Sequence, residues 1–411
     1  MKVVIAPGDV GGCGFYRLMA PFRALAESDG FELSIVDTVA SPKITEADLV
    51  VFQRAHTDVV VEFMEALTSL DPTSAFAALA ERTAAQYPEA QRPALKQGMA
   101  ATAKALVARG GRPIVALESD DNLKSIPPRS AFFKIFGNGR PNTQRFQRAA
   151  RAADFLVLST EELREVYELD NPRSVVCPNA IEDKTFEAYC ARFPSSFCES
   201  PKRIGQVRIG YVGSTSHVGD VATIVKPLQK VMDERPRVRV VFYGQDLRGL
   251  FKREYWARMD FDGATVAKTI ENQRPSLFSD SLMPRYYEAL ANLDLDIALA
   301  PLERHIFNRS KSNVKVLEYT MAGVPVVATK YGPYAQYAQE CPDGIVAVPP
   351  EDDRVWVRSL LDLVDHPQKR KALVDTSRAF IRGNYLMSAV LPRWRAGVLG
   401  YAHAMREKVA A

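Results

Sequence analysis

The stretch FNRSKSNVKVLEYTMAGVPVVATKYGPY, from Phe307 to Tyr334, joins a helical pattern to a buried strand. On a helix, Val314, Leu317 and Met321 line one side, which predicts that this side packs against a core. Gly323 ends the helical pattern, as glycine often does after a last helical turn. The β-branched run VPVVAT that follows is typical of a buried strand, so the stretch predicts one helix-to-strand unit of an α/β fold.

The opposite face of this predicted helix carries Lys311, Lys315 and Glu318 at i, i+4 and i+7, and Ser310 or Ser312 is expected to cap its first turn. Free backbone N–H groups, a positive dipole end and ammonium groups together suit a diphosphate. Glu318 lies two turns in, where its carboxylate suits the vicinal hydroxyls of a ribose. The face therefore predicts a nucleoside diphosphate site. The alternative is a solvated Lys–Glu face, which contributes about 0.2–0.5 kcal/mol per pair.

Length and composition describe an ordinary globular protein. The 411 residues exceed one compact core and predict two or three domains. The apolar fraction is 47%, the charged fraction 25% and the formal charge +4, which favours no class of partner. The five cysteines are scattered without metal-site spacing, so we expect a reducing cytoplasm. The apolar run at the N-terminus is too short for a signal peptide, and no segment reaches the roughly 18 apolar residues of a membrane span.

Short apolar runs alternate with amphipathic segments along the whole chain, which predicts an α/β protein with mostly parallel, doubly wound sheets. Two such series predict two Rossmann-like domains facing a central cleft, with ligands at the carboxyl ends of the strands. The expected parts are an N-terminal acceptor-binding domain at 1–195 with an Ala-rich helical insertion at about 68–109, a linker at 196–206, a C-terminal donor-binding domain at 207–385, and a C-terminal helix at 386–411 packing back toward the N-terminal domain.

The ordered motifs of the chain resemble those of the GT-B glycosyltransferases, most closely the large retaining family 4. In that family the glutamate that holds the nucleotide ribose precedes GxPVVAT, and Glu318 with AGVPVVAT matches. GYVGSTSHVGD resembles the donor-domain loop that approaches the diphosphate, and GGCG resembles the first glycine loop. VVCPNAIE resembles the interdomain segment, and ADFLVLSTEEL the last strand and helix of the N-terminal domain. The resemblance spans nearly the whole chain except the insertion around residues 70–105.

What the resemblance implies is a nucleotide-sugar-dependent transferase that retains the anomeric configuration and requires no metal or other cofactor. One position departs from the family, which usually has a glutamate eight residues before the ribose glutamate. Here that position is Ser310, which suggests that Arg309 and Lys311 have taken over diphosphate binding. This divergent form is similar to phage-encoded and O-antigen-type enzymes.

The predicted donor site combines the glycine loops with the helix. Its residues are Gly12, Gly213, Ser214, Thr215, His217, Arg309, Lys311, Ser312, Asn313 and Glu318. Lys311 is also assigned to catalysis, because a fixed cation stabilises the departing diphosphate.

Asp120 and Asp121 follow a predicted strand in the segment ESDDN, and they are the other catalytic candidates. They are expected to orient or deprotonate the acceptor hydroxyl. Two alternatives stay open, which are helix-capping acids and a magnesium site, since paired acids bind hard cations.

Residues 122–153 contain seven basic residues, no acidic residue and four phenylalanines, and they lie in the half that holds the acceptor in GT-B enzymes. A basic, aromatic segment suits a polyanion whose bases stack or flip, so a hydroxylated pyrimidine in DNA is the favoured acceptor. A lipid-linked or polysaccharide acceptor and a solvated helix face remain alternatives. The predicted acceptor-binding residues are Arg17, His56, Lys124, Arg129, Lys134 and Arg140.

Two further classes of function share this architecture. A sugar-nucleotide epimerase binds the same donor without a second substrate, and a scaffold binds nucleotide without chemistry. Epimerases use more acidic and histidine residues around the sugar, and this chain contains only five histidines.

Overall fold

A computed structural model describes residues 1–9, 11–85, 88–137, 139–195, 205–213, 215–262 and 282–410. By its internal contacts the chain forms two compact units. The first comprises Met1–Lys124, Ile135–Pro178 and Val390–Ala411, and the second Ser125–Lys134 and Asn179–Ala389. Most of the expected linker lies outside the described residues, so the domain limits inferred from the sequence stay a prediction.

The first unit is built on a six-stranded parallel sheet of order β2-β1-β3-β4-β5-β6. Its strands read as nearly continuous apolar runs, as expected when helices cover both faces of a parallel sheet. The central strand β3 is buried at every residue. The strands are Lys2–Ala6 (β1), Glu32–Ile35 (β2), Leu49–Gln53 (β3), Ile114–Ser119 (β4), Phe155–Leu158 (β5) and Ser174–Val176 (β6).

The second unit is built on another six-stranded parallel sheet, of order β12-β11-β10-β7-β8-β9. Counted from its own first strand this is the doubly wound order 3-2-1-4-5-6, which reverses direction between β7 and β10. The strands are Val207–Val212 (β7), Val238–Tyr243 (β8), Met259–Asp262 (β9), Ile297–Ala300 (β10), Val326–Thr329 (β11) and Val346–Val348 (β12).

The edge strand β9 is the strand that the sequence pattern did not predict. Its sequence, MDFD, lacks an apolar run because it pairs only with β8. Asp260 within it accepts hydrogen bonds from Arg239 of the adjacent strand β8 at 2.7 Å and from Arg208 of β7, one strand further in, at 2.8 Å. These ion pairs therefore stabilise the edge strand together with the buried side chain of Met259.

Helices connect the strands in both units. In chain order they are Ala20–Asp29 (α1), Lys43–Glu46 (α2), Asp58–Leu67 (α3), Pro72–Ala84 (α4), Arg92–Arg109 (α5), Phe133–Phe136 (α6), Pro141–Ala152 (α7), Glu161–Tyr167 (α8), Asp183–Arg192 (α9), Val218–Ala222 (α10), Val225–Glu234 (α11), Leu282–Asn292 (α12), Ile306–Arg309 (α13), Val314–Met321 (α14), Pro333–Glu340 (α15), Asp353–Asp365 (α16), Pro367–Asn384 (α17), Met387–Trp394 (α18) and Tyr401–Ala410 (α19). A helical turn at Gly12–Gly14 and a π-helical stretch at Phe15–Met19 lead directly into α1.

The Ala-rich stretch is helical, as predicted. It forms α4 and α5, which pack against each other, and α5 begins with Pro93 in its first turn. The C-terminal segment continues through Pro392 without a break and widens into a π-helical stretch at Arg395–Gly400 before α19. No described helix is both long and apolar enough to cross a membrane. Two parallel sheets covered by helices confirm the predicted α/β class with two Rossmann-like domains.

Candidate functional site

The candidate donor site lies in the second unit, where the strand order reverses. β7 and β10 are neighbours in the sheet, and the loops that follow them start at Gly213 and Pro301. In doubly wound sheets ligands bind in the crevice outside the carboxyl ends of two such strands. The two segments that the sequence assigned to the donor therefore start from neighbouring strands of one sheet.

Helix α14 begins later than the sequence predicted. Its first residue is Val314, and Asn313 precedes it without a capping hydrogen bond from its side chain. Ser310 does not cap the helix, since its hydroxyl donates to the carbonyl of Ile306. Lys311 consequently lies in the turn before the helix, where its ammonium group is 4.3 Å from the centre of the Phe307 ring.

Lys315, in the first turn of α14, points toward the carboxyl end of β7. Its Nζ atom donates to the Val212 carbonyl at 2.6 Å and lies 5.0 Å from the centre of the Tyr211 ring. Burial lowers the pKa of Lys315 to about 8, although Glu318 and Asp220 oppose the shift. An ammonium group with this pKa is protonated at neutral pH and gains from a nearby anion.

The hydroxyl of Tyr211 lies directly beneath the glycine loop. A side chain at Gly213 would place its Cβ atom 2.4 Å from this hydroxyl, so the loop needs a glycine there. The hydroxyl is buried and has no hydrogen-bond partner among the residues that the structure describes. A buried polar group without a partner is uncommon and suits a site that a ligand completes.

Glu318 is 5% exposed and belongs to the buried part of α14. Its Oε2 atom accepts a hydrogen bond of 2.8 Å from the Tyr286 hydroxyl of α12. The carboxylate is thus held in the buried part of α14 by a polar neighbour.

His217 follows the glycine loop in a turn of 3-10 helix and forms a network with Asp220. The His217 Nδ1 atom lies 2.7 Å from the Asp220 carboxylate. The same carboxylate accepts from the backbone N–H of Glu303 and the side-chain amide of Asn308, both at 2.7 Å. Asp220 therefore joins the loop after β7 to the loop after β10.

The remaining donor candidates are dispersed. Ser312 accepts a hydrogen bond of 2.9 Å from Asn179, Asn313 is buried, and Arg309 is exposed. Thr215 begins the 3-10 turn, and Ser214 lies outside the described residues. Gly12 belongs to the first unit, at the start of the helical turn before α1.

The catalytic candidates Asp120 and Asp121 lie in the first unit, immediately after β4. Arg54, which follows β3, donates from Nε to Asp120 at 2.9 Å and from Nη2 to Asp121 at 2.7 Å. Arg54 has a φ of 47°, in the left-handed region that arginine rarely adopts. Such strain clusters at functional sites. Neither acid precedes a helix directly, so the helix-capping interpretation is wrong.

The glycine loop after β1 reaches the same edge of the sheet. The Cys13 sulfur accepts from Arg54 at 3.2 Å, and the Asp9 carboxylate accepts from the backbone N–H groups of Gly11 and Gly14. His56 Nδ1 lies 2.6 Å from the Arg54 carbonyl. Arg54 thus connects the loops after β1, β3 and β4 into one edge.

Arg17 does not reach this edge. Its side chain is fully buried and donates to Glu118 and to the Cys177 carbonyl, each at 2.6 Å. Glu118 also accepts from Gln53 at 2.8 Å. We correct the prediction that Arg17 binds an acceptor, because its guanidinium group lies in the interior and closes a buried ion pair.

Most of the basic segment is neutralised by acids. Four of its seven basic residues form ion pairs, namely Lys124 and Arg151 with Asp170, Arg145 with Asp58, and Arg148 with Glu65. The Lys124 ammonium group also donates to the Val166 carbonyl, so its acceptor-binding assignment changes to a structural one. Arg129, Lys134 and Arg140 are exposed and form no ion pair with any residue that the structure describes.

Sequence reasoning missed several residues of both edges. Tyr211 and Asp220 lie within the quoted segment GYVGSTSHVGD, but only its loop residues were assigned to the site, and Tyr286 was read as part of an ordinary helix. Arg54 follows the apolar run of β3 directly, and a charged residue in that position is the signal that was overlooked. Within the described ranges, no group of three or more His, Cys, Asp or Glu side chains is arranged to hold a metal ion.

No protein-family model and no curated protein matches the sequence. Solved structures match along nearly the whole chain. HepE from Anabaena, crystallised with UDP and glucose, is 11% identical with a TM-score of 0.54, covering 97% of this chain and 100% of that one. The sucrose-phosphate synthase of Thermosynechococcus elongatus is 13% identical with a TM-score of 0.53, covering 100% of this chain and 99% of that one. A UDP-forming trehalose-phosphate synthase of Burkholderia vietnamiensis is 11% identical with a TM-score of 0.51, covering 98% of this chain and 99% of that one. At these identities the likeness shows the fold, which is of the GT-B type. Membership of retaining family 4 stays a prediction.

Proposed function

We propose that this protein is a glycosyltransferase that moves a sugar from a nucleotide-sugar donor to an acceptor hydroxyl. The observation that carries the proposal is the convergence of Lys315, His217 and the Tyr211 hydroxyl around the Gly213 loop, at the point where the strand order reverses. Cations, backbone N–H groups and an unpartnered hydroxyl suit a diphosphate, and Glu318 on the same helix suits a ribose.

The donor is proposed to be a UDP-sugar. Anabaena HepE was crystallised with UDP and with UDP-glucose, and the Burkholderia vietnamiensis synthase is UDP-forming. These proteins share the fold of this chain, which supports a uridine nucleotide without identifying the sugar.

In the proposed reaction, the bond between the anomeric carbon and the donor phosphate breaks while the acceptor oxygen bonds to that carbon. Lys315 and Lys311 stabilise the negative charge that develops on the departing diphosphate. Because these cations are built into the second unit, we propose that the reaction needs no divalent ion. We also propose retention, in which the acceptor hydroxyl attacks on the side of the leaving group and a phosphate oxygen takes its proton.

The first unit is proposed to orient the acceptor through Asp120 and Asp121. Both carboxylates are fixed by Arg54, and carboxylate oxygens suit the hydroxyl groups of a sugar, because they accept hydrogen bonds from them. Asp120 and Asp121 contact the Arg54 guanidinium group and Asp9 interacts with it electrostatically, so negative charge is in excess and disfavours phosphates. A saccharide or a lipid-linked saccharide is therefore the acceptor that we favour.

A second candidate acceptor is a hydroxylated pyrimidine in DNA. It is favoured by Arg129, Lys134 and Arg140, which are exposed, and by Phe132, which is 36% exposed within the same segment. Three cations make a smaller electrostatic contribution than the seven counted in the sequence. The DNA proposal has lost support for this reason.

The proposal is tested first by donor binding. Thermal melting is followed with UDP-glucose, UDP-N-acetylglucosamine, GDP-mannose and ADP-glucose, since a ligand that binds the folded state raises the melting temperature. We expect a shift with a UDP-sugar in the wild type and in Lys330→Met, an exposed lysine in the same unit, and a strongly reduced shift in Lys315→Met. No shift with any nucleotide sugar would refute the proposal.

Product analysis separates the transferase from its alternatives. A transferase releases UDP in proportion to acceptor consumed, and the product linkage shows whether the configuration is retained. Interconversion of the sugar nucleotide without acceptor would identify an epimerase. Binding without turnover across a panel of saccharides and hydroxylated DNA would favour a scaffold.

A further inference from the structure

The pair formed by His217 and Asp220 has a geometry that the proposed transfer does not use. Asp220 is 3% exposed and accepts hydrogen bonds from His217, Glu303 and Asn308. Its position is fixed from three directions. The Nδ1 atom of His217 faces this carboxylate, so Nδ1 carries the proton and the other ring nitrogen, Nε2, holds a free lone pair.

The charged groups around His217 come from three elements. Asp220 belongs to α10, which begins directly after His217, Lys315 to α14 and Lys311 to the turn before α14, while the neutral Tyr211 hydroxyl belongs to β7. Burial lowers the pKa of His217, the Asp220 hydrogen bond opposes this, and both lysines lower it further. In the free protein the imidazole is therefore neutral at pH 7.

We infer that His217 and Asp220 form a proton-accepting pair that takes up a proton from solvent when a nucleotide sugar binds. The inference rests on the proposed donor site. A diphosphate beside Lys311 and Lys315 offsets their positive charge and adds negative charge near the ring, so both effects favour the imidazolium form. A solvent proton then bonds to the Nε2 lone pair, while the other proton stays on Nδ1 and keeps its hydrogen bond to Asp220, and no bond of the ligand changes.

The consequence is that the affinity of the site for the diphosphate depends on pH. The charged ring donates from Nε2 to a phosphate oxygen, and Asp220 acts as a positioning residue that fixes the tautomer. The affinity for donor falls as pH rises from the free to the bound pKa of His217, by about tenfold per unit. Lys315, whose pKa is about 8, contributes a separate change at higher pH.

The test is isothermal titration calorimetry with UDP-glucose in two buffers of different ionisation enthalpy, from pH 6 to 7.5. UDP-glucose is the probe because its diphosphate is esterified at both ends, whereas a terminal phosphate titrates near pH 6. We expect proton uptake approaching about one proton per nucleotide in this window. His217→Gln is expected to abolish the uptake in the lower part of this window, where Lys315 is already protonated, and to weaken binding more at pH 6 than at pH 7.5.

His366→Gln is the matched control, because His366 also pairs through Nδ1 with an aspartate, Asp362, but at the end of α16. It should keep the full proton uptake. Asp220→Asn should lower the uptake as well, and NMR of the His217 ring nitrogens reports protonation directly should that variant fold poorly. Binding of UDP-glucose with no proton uptake, or with uptake unchanged in His217→Gln, would overturn the inference and leave the donor site intact. No binding of any nucleotide sugar would overturn both.

Discussion

The carboxyl edges of the two sheets differ in how their charges are partnered. In the first unit, Arg54 forms ion pairs with Asp120 and Asp121, and the buried Arg17 forms an ion pair with Glu118. In the second unit, the Lys315 ammonium group contacts a carbonyl and an aromatic ring. The carboxyl edge of the first sheet thus presents cations that are ion-paired with carboxylates. The carboxyl edge of the second sheet presents Lys315, which can bind an anion.

This contrast teaches that fold and charge pairing carry separate information. A parallel sheet determines where a ligand binds, since both units place their loops at a point where the strand order changes. The partner of each charged side chain determines which ligand is favoured. Cations already paired with carboxylates position other groups, whereas a cation held by a carbonyl gains free energy from an incoming phosphate.

The largest effect that we predict concerns the closed pair of the first unit. Arg17→Met leaves Glu118 as an unpaired buried charge, which costs about 3–5 kcal/mol of unfolding free energy, measured by urea denaturation. Arg17→Met combined with Glu118→Gln should recover much of this loss. Arg382→Met, which breaks an exposed pair with Glu187, should cost at most about 1 kcal/mol. A stable Arg17→Met protein that binds acceptor poorly would restore the original assignment of Arg17.

The next effect concerns the open cation of the second unit. Lys315→Met is expected to weaken donor binding by about 1.5–3 kcal/mol, or roughly ten- to a hundredfold, because a charge-assisted contact to phosphate is lost. In the wild type, affinity should fall as pH rises through 8, because Lys315 then loses its proton. Calorimetry across pH 7 to 9.5 measures both effects. If the donor affinity of Lys315→Met still fell at high pH, another group would be responsible for the fall.

A smaller effect separates the two edges by function. Asp120→Asn should lower kcat by about tenfold or more while leaving donor affinity unchanged, since acceptor orientation is lost. Asp48→Asn is the control, because Asp48 pairs with Arg109 and Arg406 at the amino edge of the same sheet. Steady-state kinetics measures kcat, and titration with donor measures the donor affinity. A loss of donor affinity in Asp120→Asn would remove the distinction between the edges.

The smallest effect tests the DNA acceptor. If the exposed cations bind DNA, Arg129→Ala and Lys134→Ala should each lower the slope of log affinity against log salt by about 0.9, as expected for one phosphate contact. Arg148→Ala, which removes a cation already paired with Glu65, should leave the slope nearly unchanged. Filter binding at several salt concentrations measures it. A flat salt dependence in the wild type would exclude the nucleic-acid acceptor.

The fold was largely predictable because its determinants are local. Apolar runs such as LVVF in β3 and VVAT in β11 are buried on both faces, and a glycine or polar loop ends each of them. The order of these units along the chain was sufficient to predict two Rossmann-like domains. The acidic edge strand β9 was missed because ion pairs with Arg208 and Arg239 stabilise it, and pairs between strands leave no periodic signal.

The candidate sites were predictable only in part. Spacing along one helix brought Lys315 and Glu318 together, because a helix has a fixed period. It did not show that Lys311 lies before the helix, since the capping of α14 depends on the preceding turn. Arg17 lies in a helical segment after the first glycine loop and Arg54 directly after β3, and neither position shows from sequence alone that Arg17 is buried and ion-paired with Glu118.

The last helices of the chain have a consequence for engineering. Residues from Val390 onward belong to the first unit, where the fully buried Trp394 packs against Phe22 and donates to the Pro178 carbonyl. Neither unit is therefore one continuous piece of polypeptide. A chimaera that exchanges the second unit should therefore graft both Ser125–Lys134 and Asn179–Ala389 and retain the native tail, because a simple two-part fusion would remove Trp394 from the core of the first unit.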